Sequence, residues 1–196
     1  MVEDLEHRLV DLLSNDADRM DALSAVKSMA LDDWAIGAGF VRNAVWGHLH
    51  GFDIPTALDD IDILYFNPGN LEPARDIEIE AQLSAAAPGR PWSVRNQARM
   101  HLRNDDQPYV STLDAMSNWL ETPTCVGVRV NASNQLEVLA PYGLDDLFSL
   151  RICPTPRGLQ KSETYLMRVR QKEWLRKWPK LSLVRPINTE IDSIHE

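Results

Sequence analysis

The sequence predicts a single α/β domain with a helical annex, and three observations support this fold class. The 196 residues suffice for one sizeable core, whereas two domains would each be close to the smallest stable size. Apolar residues recur at helical spacing in some segments and form short strand-like runs in others. One segment, residues 34–51, has the order strand, glycine turn and helix. We place the α/β body in residues 1–150 and a basic helical extension, packed on the same domain, in residues 151–196.

Hydrophobic spacing and turn residues define the predicted elements of the first half of the chain. Two amphipathic helices are predicted in HRLVDLLSND and ADRMDALSAVKSMA, where apolar residues recur every three or four positions. A strand at residues 34–36 turns through Gly37 and Gly39 into a helix that ends near Gly51. DIDILYF then predicts a strand with one end in a cleft, and LEPARDIEIEAQLSAAAPG predicts a helix between a proline start and a Pro-Gly stop.

The second half of the chain predicts a further strand at residues 92–94, a helix and a hairpin. The helix lies in STLDAMSNWLET, and the two hairpin strands lie in TCVGVRVN and LEVLAPYG, on either side of an Asn-rich turn. A short helix in LDDLFSL is followed by CPTPRG, which we interpret as a linker. The last predicted element is one basic amphipathic helix in SETYLMRVRQKEWLRKW, stopped by Pro179.

Composition excludes several classes of protein. Hydrophobic residues make up 44% of the chain and charged residues 25%, as in soluble globular proteins, and no apolar run is long enough to span a bilayer. The acidic N-terminus is unlike a secretory signal, so we expect a cytoplasmic protein without a membrane partner. Charge is uneven along the chain: residues 1–150 hold 10 basic and 24 acidic side chains, whereas residues 151–185 hold 10 and 2. The basic segment either guides phosphates toward a site or simply balances an acidic body.

Two acids, Asp60 and Asp62, are the candidate metal ligands and catalytic residues. They are one residue apart, so on a strand both side chains point to the same face. Two carboxylates on one face repel each other unless a cation lies between them, and Mg²⁺ prefers one or two carboxylates completed by water and phosphate oxygens. A strand end that carries two acids and no metal is the alternative.

The glycine turn that precedes these acids is a candidate phosphate site. Gly37 and Gly39 allow the backbone to approach a ligand closely, and the helix that follows offers unpaired N–H groups to an anion. Arg42 lies on the first turn of that helix, where it would reach a phosphate or a nearby carboxylate.

IGAGFVRN followed by DDIDILYF resembles the glycine motif and the paired-acid motif of the polymerase-β-like nucleotidyltransferases, particularly those of tRNA CCA-adding enzymes and bacterial poly(A) polymerases. Roughly residues 30–182 are similar to a family of bacterial nucleotidyltransferase-like proteins of unknown function. Further segments that carry this likeness are WSVRNQARMH, TCVGVRV, APYGLDDLF and KEWLRKWPKL.

The resemblance implies a fold, a cofactor and an activity. The fold is a small mixed sheet flanked by helices, with Asp60 and Asp62 as ligands of catalytic Mg²⁺ or Mn²⁺. Gly37, Gly39 and the start of the next helix, including Phe40 and Arg42, would bind the triphosphate. The implied reaction transfers a nucleoside monophosphate from a nucleoside triphosphate to an acceptor hydroxyl.

The acceptor is not implied by the motifs. The chain is too short for a long helical RNA-binding body, so we expect a small molecule or a protein rather than RNA. Two alternatives stay open: a nucleotide-binding module that has lost its chemistry, and an RNA-binding protein that uses the basic C-terminal helix.

Several positions depart from the family pattern. Active members of the superfamily carry a third carboxylate on a neighbouring strand, where this sequence has Ser93, so Asp114 or Glu121 would have to supply it. The turn is Gly37-Ala38-Gly39 rather than Gly-Gly or Gly-Ser, and Asn43 replaces an acid of the tRNA enzymes. Asn96 and Arg99, in the polar cluster after the third strand, either contact the nucleotide or form a hydrogen-bonded turn.

Overall fold

The computed structural model describes residues 4–186, in which short strands alternate with helices. The strands are β1 (Ala35–Gly37), β2 (Ile61–Tyr65), β3 (Trp92–Asn96), β4 (Gly127–Val130), β5 (Leu136–Leu139), β6 (Arg151–Ile152) and β7 (Ser182–Leu183). The helices are α1 (Leu5–Ser14), α2 (Ala17–Ser28), α3 (Gly39–His50), α4 (Pro73–Ala86), α5 (Met100–Asn104), α6 (Thr112–Ser117), α7 (Asp145–Phe148), α8 (Pro156–Gln160), α9 (Ser162–Gln171) and α10 (Trp174–Lys177).

Strands β1 to β5 form one mixed sheet in the order β3-β2-β1-β4-β5. Strand β2 runs parallel to β3 and antiparallel to β1, and β4 is antiparallel to both β1 and β5. The central strand β1 places Ile36 beside Ile63 of β2 and Val128 of β4, and all three side chains are fully buried. The prediction of an α/β fold with a small mixed sheet flanked by helices is therefore confirmed.

The turn between β1 and α3 is tight because its glycines are closely packed. A Cβ atom on Gly37 would lie 3.2 Å from a methyl group of Leu64 and 3.4 Å from the Trp119 ring. The positive φ of the turn, 51°, belongs to Ala38 and not to a glycine, and the Ala38 N–H donates to the Val126 carbonyl on the neighbouring segment. Helix α3 then ends at Gly51 in the left-handed conformation, as the sequence predicts.

The annex differs from its prediction at two points. CPTPRG is not only a linker, because α8 begins at Pro156 and the Thr155 hydroxyl caps it by accepting from the Gly158 N–H at 2.9 Å. The predicted single basic helix is two helices, since Glu173 adopts a positive φ of 52° between α9 and α10.

The break between α9 and α10 allows two tryptophans to pack edge-on against Trp46 of α3. The ring centroids of Trp174 and Trp178 lie 5.8 Å and 5.2 Å from that of Trp46, and each ring is only 2% exposed. This burial of aromatic surface offsets the strain of the break.

The division of the chain at residue 150 stays a prediction. Among the helices of residues 4–186, none has both the length and the apolar composition needed to cross a membrane.

Candidate nucleotide and metal site

Asp60 and Asp62 lie at the start of β2. Asp60 immediately precedes the strand and is exposed, whereas Asp62 is half-buried and alternates with the core residues Ile61 and Ile63. Burial, together with the neighbouring charge of Asp60, raises the pKa of Asp62 to about 6, while Arg42 opposes the shift. A cation between the two carboxylates would relieve both causes of this shift. Within residues 4–186, no group of three or more acidic, histidine or cysteine side chains has metal-binding spacing.

Arg42 is a buried cation beside the glycine turn. Its side chain is sandwiched between two rings, with the guanidinium carbon 4.6 Å from the centroid of Trp174 and 5.3 Å from that of Trp46. Its Nη2 donates to the Asn43 side chain at 3.2 Å, but its Nε has no hydrogen-bond partner among the described residues. The negative charges of Glu121, Asp62 and Asp60 partly compensate its charge. Burial lowers the pKa of Arg42 to about 10. An anion at the turn would supply the missing partner.

The first turn of α3 adds backbone donors to this arginine. The Arg42 N–H is bonded to the Ala38 carbonyl, so the N–H groups that precede it, those of Gly39, Phe40 and Val41, have no partner within the helix. The Phe40 side chain itself is core, 1% exposed, and its carbonyl accepts from Arg19 Nε at 3.0 Å. Any contact of Phe40 with a nucleotide would therefore come from its backbone.

Each acid of the pair lines a different cavity. We call the first the Asp60 cavity, which has a volume of about 300 Å³ and whose wall includes Gly39, Arg42, Asp60, Lys172, Trp174 and Lys177. We call the second the Asp62 cavity, which has a volume of about 460 Å³ and whose wall includes Ala38, Asp62, Arg95, Arg103, Trp119, Glu121, Arg157, Lys161 and Arg168. Helices α8 to α10 supply many of the cations, which the sequence analysis did not assign individually. The basic composition of residues 151–185 was the signal for them.

The two candidates for a third carboxylate, Asp114 and Glu121, differ in their position relative to the two cavities. Ser93 on β3 is in register with Asp62, so the position expected to carry an acid holds a hydroxyl. Asp114 accepts from the Val110 N–H at 2.9 Å and lines neither cavity. Glu121 lies in the wall of the Asp62 cavity, only 1% exposed, with its Oε1 3.1 Å from Arg168 Nε. Burial raises the pKa of Glu121, and the charge of Arg168 opposes the shift.

Asn96 and Arg99 lie at the end of β3 and line neither cavity. The fully buried Asn96 amide donates to the carbonyls of Asn67 and Asn70, both at 2.8 Å. Arg99 forms an ion pair with the buried Asp76. These contacts favour the hydrogen-bonded turn over nucleotide contact, which stays a prediction for both residues.

These features together define the class of nucleotidyltransferase folds: a strand, a glycine turn, a helix with a buried arginine, and a neighbouring strand with paired acids. The chain belongs to the nucleotidyltransferase family, whose model matches residues 24–183. A comparison with curated proteins finds no match.

Solved structures with similar folds support this membership. A structure described as revealing a CCA-adding enzyme head domain is 30% identical, with a TM-score of 0.81, and the match covers 91% of this chain and 95% of the other. A CCA-adding enzyme in complex with CTP is 13% identical with a TM-score of 0.57, covering 93% of this chain and 44% of the enzyme. A tRNA nucleotidyltransferase with a primer tRNA and an incoming ATP analogue is 16% identical with a TM-score of 0.52, covering 84% and 47%. The chain thus matches nearly all of the head domain but less than half of these larger enzymes.

Proposed function

We propose that this protein transfers a nucleoside monophosphate from a nucleoside triphosphate to an acceptor hydroxyl in a metal-dependent reaction. The observation that carries the proposal is the buried Arg42, whose Nε has no hydrogen-bond partner among the described residues, next to a glycine turn and a paired-acid strand. A buried cation is costly unless a charge or hydrogen-bond acceptor compensates it, and a triphosphate supplies both. Membership of the nucleotidyltransferase family supports the same reaction class.

The proposed role of each residue follows from its position in the site. Asp60 and Asp62 would hold Mg²⁺ or Mn²⁺, which when bound neutralises phosphate charge and aligns the reacting oxygens. Arg42 and the free N–H groups at the start of α3 would bind the triphosphate in the Asp60 cavity, with Lys172 and Lys177 in the same wall. Attack of the acceptor oxygen forms a bond to the α-phosphorus and breaks the bond to the leaving pyrophosphate.

Glu121 is the residue we propose to accept the proton of the acceptor hydroxyl. It shares the Asp62 cavity with Asp62 and, because its pKa is raised, its carboxylate is a stronger base than an exposed glutamate. Glu121 would thus replace the acid missing at Ser93 in proton transfer, without being a metal ligand.

A second candidate function is a nucleotide-binding module without catalysis. The specific observation in its favour is Ser93 beside Asp62, together with the absence of a three-acid metal group among residues 4–186. For either function we expect a cytoplasmic protein, and for the enzyme an acceptor that is a small molecule or a protein rather than RNA.

Ligand-induced stabilisation tests the binding site. Each of the four ribonucleoside triphosphates is added to the protein with Mg²⁺, Mn²⁺ or EDTA, and thermal unfolding is followed. At a hundredfold excess over its dissociation constant a ligand stabilises the folded state by about 2.7 kcal/mol, and we expect this shift for at least one triphosphate only when the metal is present.

Asp60→Asn combined with Asp62→Asn should remove that shift while leaving the free protein at least as stable, since two like charges are neutralised. Asp53→Asn, an exposed acid in the preceding loop, is the control for charge. A metal-dependent shift that survives the double substitution would place the site elsewhere. Release of pyrophosphate by the wild type then separates the enzyme from the non-catalytic module.

A further inference from the structure

We propose that the Asp62 cavity binds the acceptor and that this acceptor carries a phosphate group in addition to its reactive hydroxyl. This inference rests on the proposed function, because it assigns the second substrate of the same site. It concerns the cavity that Asp62 lines, and not the one that Asp60, Gly39 and Arg42 line.

The position of the Asp62 cavity supports this proposal. Asp62 lines one cavity and Asp60 the other, so a ligand in each cavity would contact one acid of the pair. Transfer between two substrates requires such an arrangement, with the reacting atoms brought together at the metal ligands. The volume of about 460 Å³ is in the range of small-molecule sites, roughly 300–1,000 Å³.

The charge of the Asp62 cavity also supports this proposal. Five basic side chains line the Asp62 cavity, and two of them are paired within its wall: Arg157 with Asp106, and Arg168 with Glu121. Arg103 and Lys161 have no carboxylate partner within residues 4–186; Lys161 donates only to the Asn104 carbonyl, at 2.7 Å. Two uncompensated cations in one wall match the two negative charges of a phosphate monoester.

A buried acceptor atom supports this proposal as well. Glu121 lies in the wall of the Asp62 cavity, and its buried Oε1 has Arg168 Nε at 3.1 Å as an ion-pair partner but no hydrogen bond of good geometry within the described structure. A ligand hydroxyl would satisfy this oxygen, and its proton would pass to Glu121 as the new oxygen–phosphorus bond forms. The cavity thus offers one end to a hydroxyl and cations to a phosphate.

The experiment uses inorganic phosphate as the probe of the Asp62 cavity. Phosphate is titrated into the full-length protein saturated with Mg²⁺ and a non-hydrolysable ATP analogue, and binding is followed by phosphorus NMR. We expect saturable binding to the wild type and at least tenfold weaker binding to the Arg103→Gln, Lys161→Gln double variant. The dissociation constant of the ATP analogue should change by less than twofold in this variant.

The matched control carries Lys172→Gln and Lys177→Gln in the wall of the Asp60 cavity. It has the same change in charge and should weaken the ATP analogue at least fivefold while leaving phosphate binding to the loaded protein within twofold. Absence of saturable phosphate binding to the wild type overturns the proposal. Equal phosphate binding to wild type and to the Arg103, Lys161 variant also overturns it, as does a loss of analogue affinity in that variant, which would assign the Asp62 cavity to the nucleotide.

If the proposed function is wrong, the binding experiments give a different set of results. In that case the wild type binds no ATP analogue with metal, and phosphate is titrated into the free protein instead. If the Arg103, Lys161 variant alone then loses phosphate, the Asp62 cavity is an anion site without a nucleotidyl donor. If both double variants bind phosphate as the wild type does, the phosphate site is overturned as well.

Discussion

Glu121 is a carboxylate held out of water beside a cation, and this makes the stability of the protein depend on pH. Burial raises the pKa of Glu121 above its ordinary value, although Arg168 opposes the shift. A carboxyl whose pKa is higher in the folded state stabilises that state at low pH, and this stabilisation is lost as the pH rises through the folded-state pKa. The free energy of unfolding should therefore contain a contribution from Glu121 that falls from about pH 4.5 upward.

Glu121→Gln removes this contribution and keeps the shape of the side chain. We expect the wild type to lose stability relative to the variant as the pH is raised from 4.5 to 8, because only the wild type must hold a buried charge. Urea unfolding at several pH values measures the difference, with Glu163→Gln, an exposed acid of α9, as the control. A difference that is the same at every pH would mean that Arg168 fully compensates the burial of Glu121.

Site residues could be predicted from the sequence where their positions depend only on residues nearby in the chain. Asp60 and Asp62 are neighbours because their spacing at the start of β2 requires it, and Arg42 follows the glycine turn by its position in the helix. Glu121 and Lys161 could not be assigned in the same way. They reach the Asp62 cavity from segments distant in sequence, and only tertiary packing places them there.

At the scale of elements, α10 is the clearest case in which tertiary contacts override a local pattern. Residues 162–178 have the composition of one continuous amphipathic helix, yet the chain breaks at Glu173. The break aims Trp174 at both Trp46 and the Arg42 guanidinium, and neither partner is visible from the sequence around it. By contrast, β1, its turn, α3 and β2 were predicted well, because glycine positions and apolar runs determine them locally.

Trp174 should consequently act as a positioning residue for Arg42. Trp174→Leu keeps an apolar side chain but removes the ring that holds the guanidinium, a contact of about 0.5–2 kcal/mol. We expect metal-dependent binding of the ATP analogue to weaken roughly 2- to 30-fold, measured by calorimetric titration.

The matched control for this prediction is Trp178→Leu. Trp178 is equally buried, also packs on Trp46 and also lines the Asp60 cavity, but it makes no ring contact with Arg42. Both variants should lose comparable stability, and only Trp174→Leu should lose affinity for the analogue. Equal losses of affinity would show that the annex acts on the site only through general packing.

At the scale of the whole molecule, the charge of the chain is divided between an acidic body and a basic annex. The net charge is −9, although residues 151–185 carry 10 basic and only 2 acidic side chains. Five annex cations, Arg157, Lys161, Arg168, Lys172 and Lys177, face the two cavities, whereas Arg170, Arg176 and Arg185 line a groove on the outer surface of the annex. Cations that line a cavity with one of the paired acids suit a small phosphate ligand, and cations away from both cavities suit a nucleic acid backbone.

Replacing these outer cations therefore separates a small acceptor from RNA. We expect the triple variant Arg170→Gln, Arg176→Gln, Arg185→Gln to bind the ATP analogue and phosphate within twofold of the wild type, because none of the three lines either cavity. An RNA-binding annex would instead lose affinity for a single-stranded oligonucleotide, and the slope of log affinity against log salt would become shallower by about 0.7 for each phosphate contact removed. Fluorescence anisotropy at 50 to 300 mM salt measures this slope. A steep slope in the wild type that flattens in the triple variant, with transfer of nucleotide to the oligonucleotide, would replace the small acceptor by RNA.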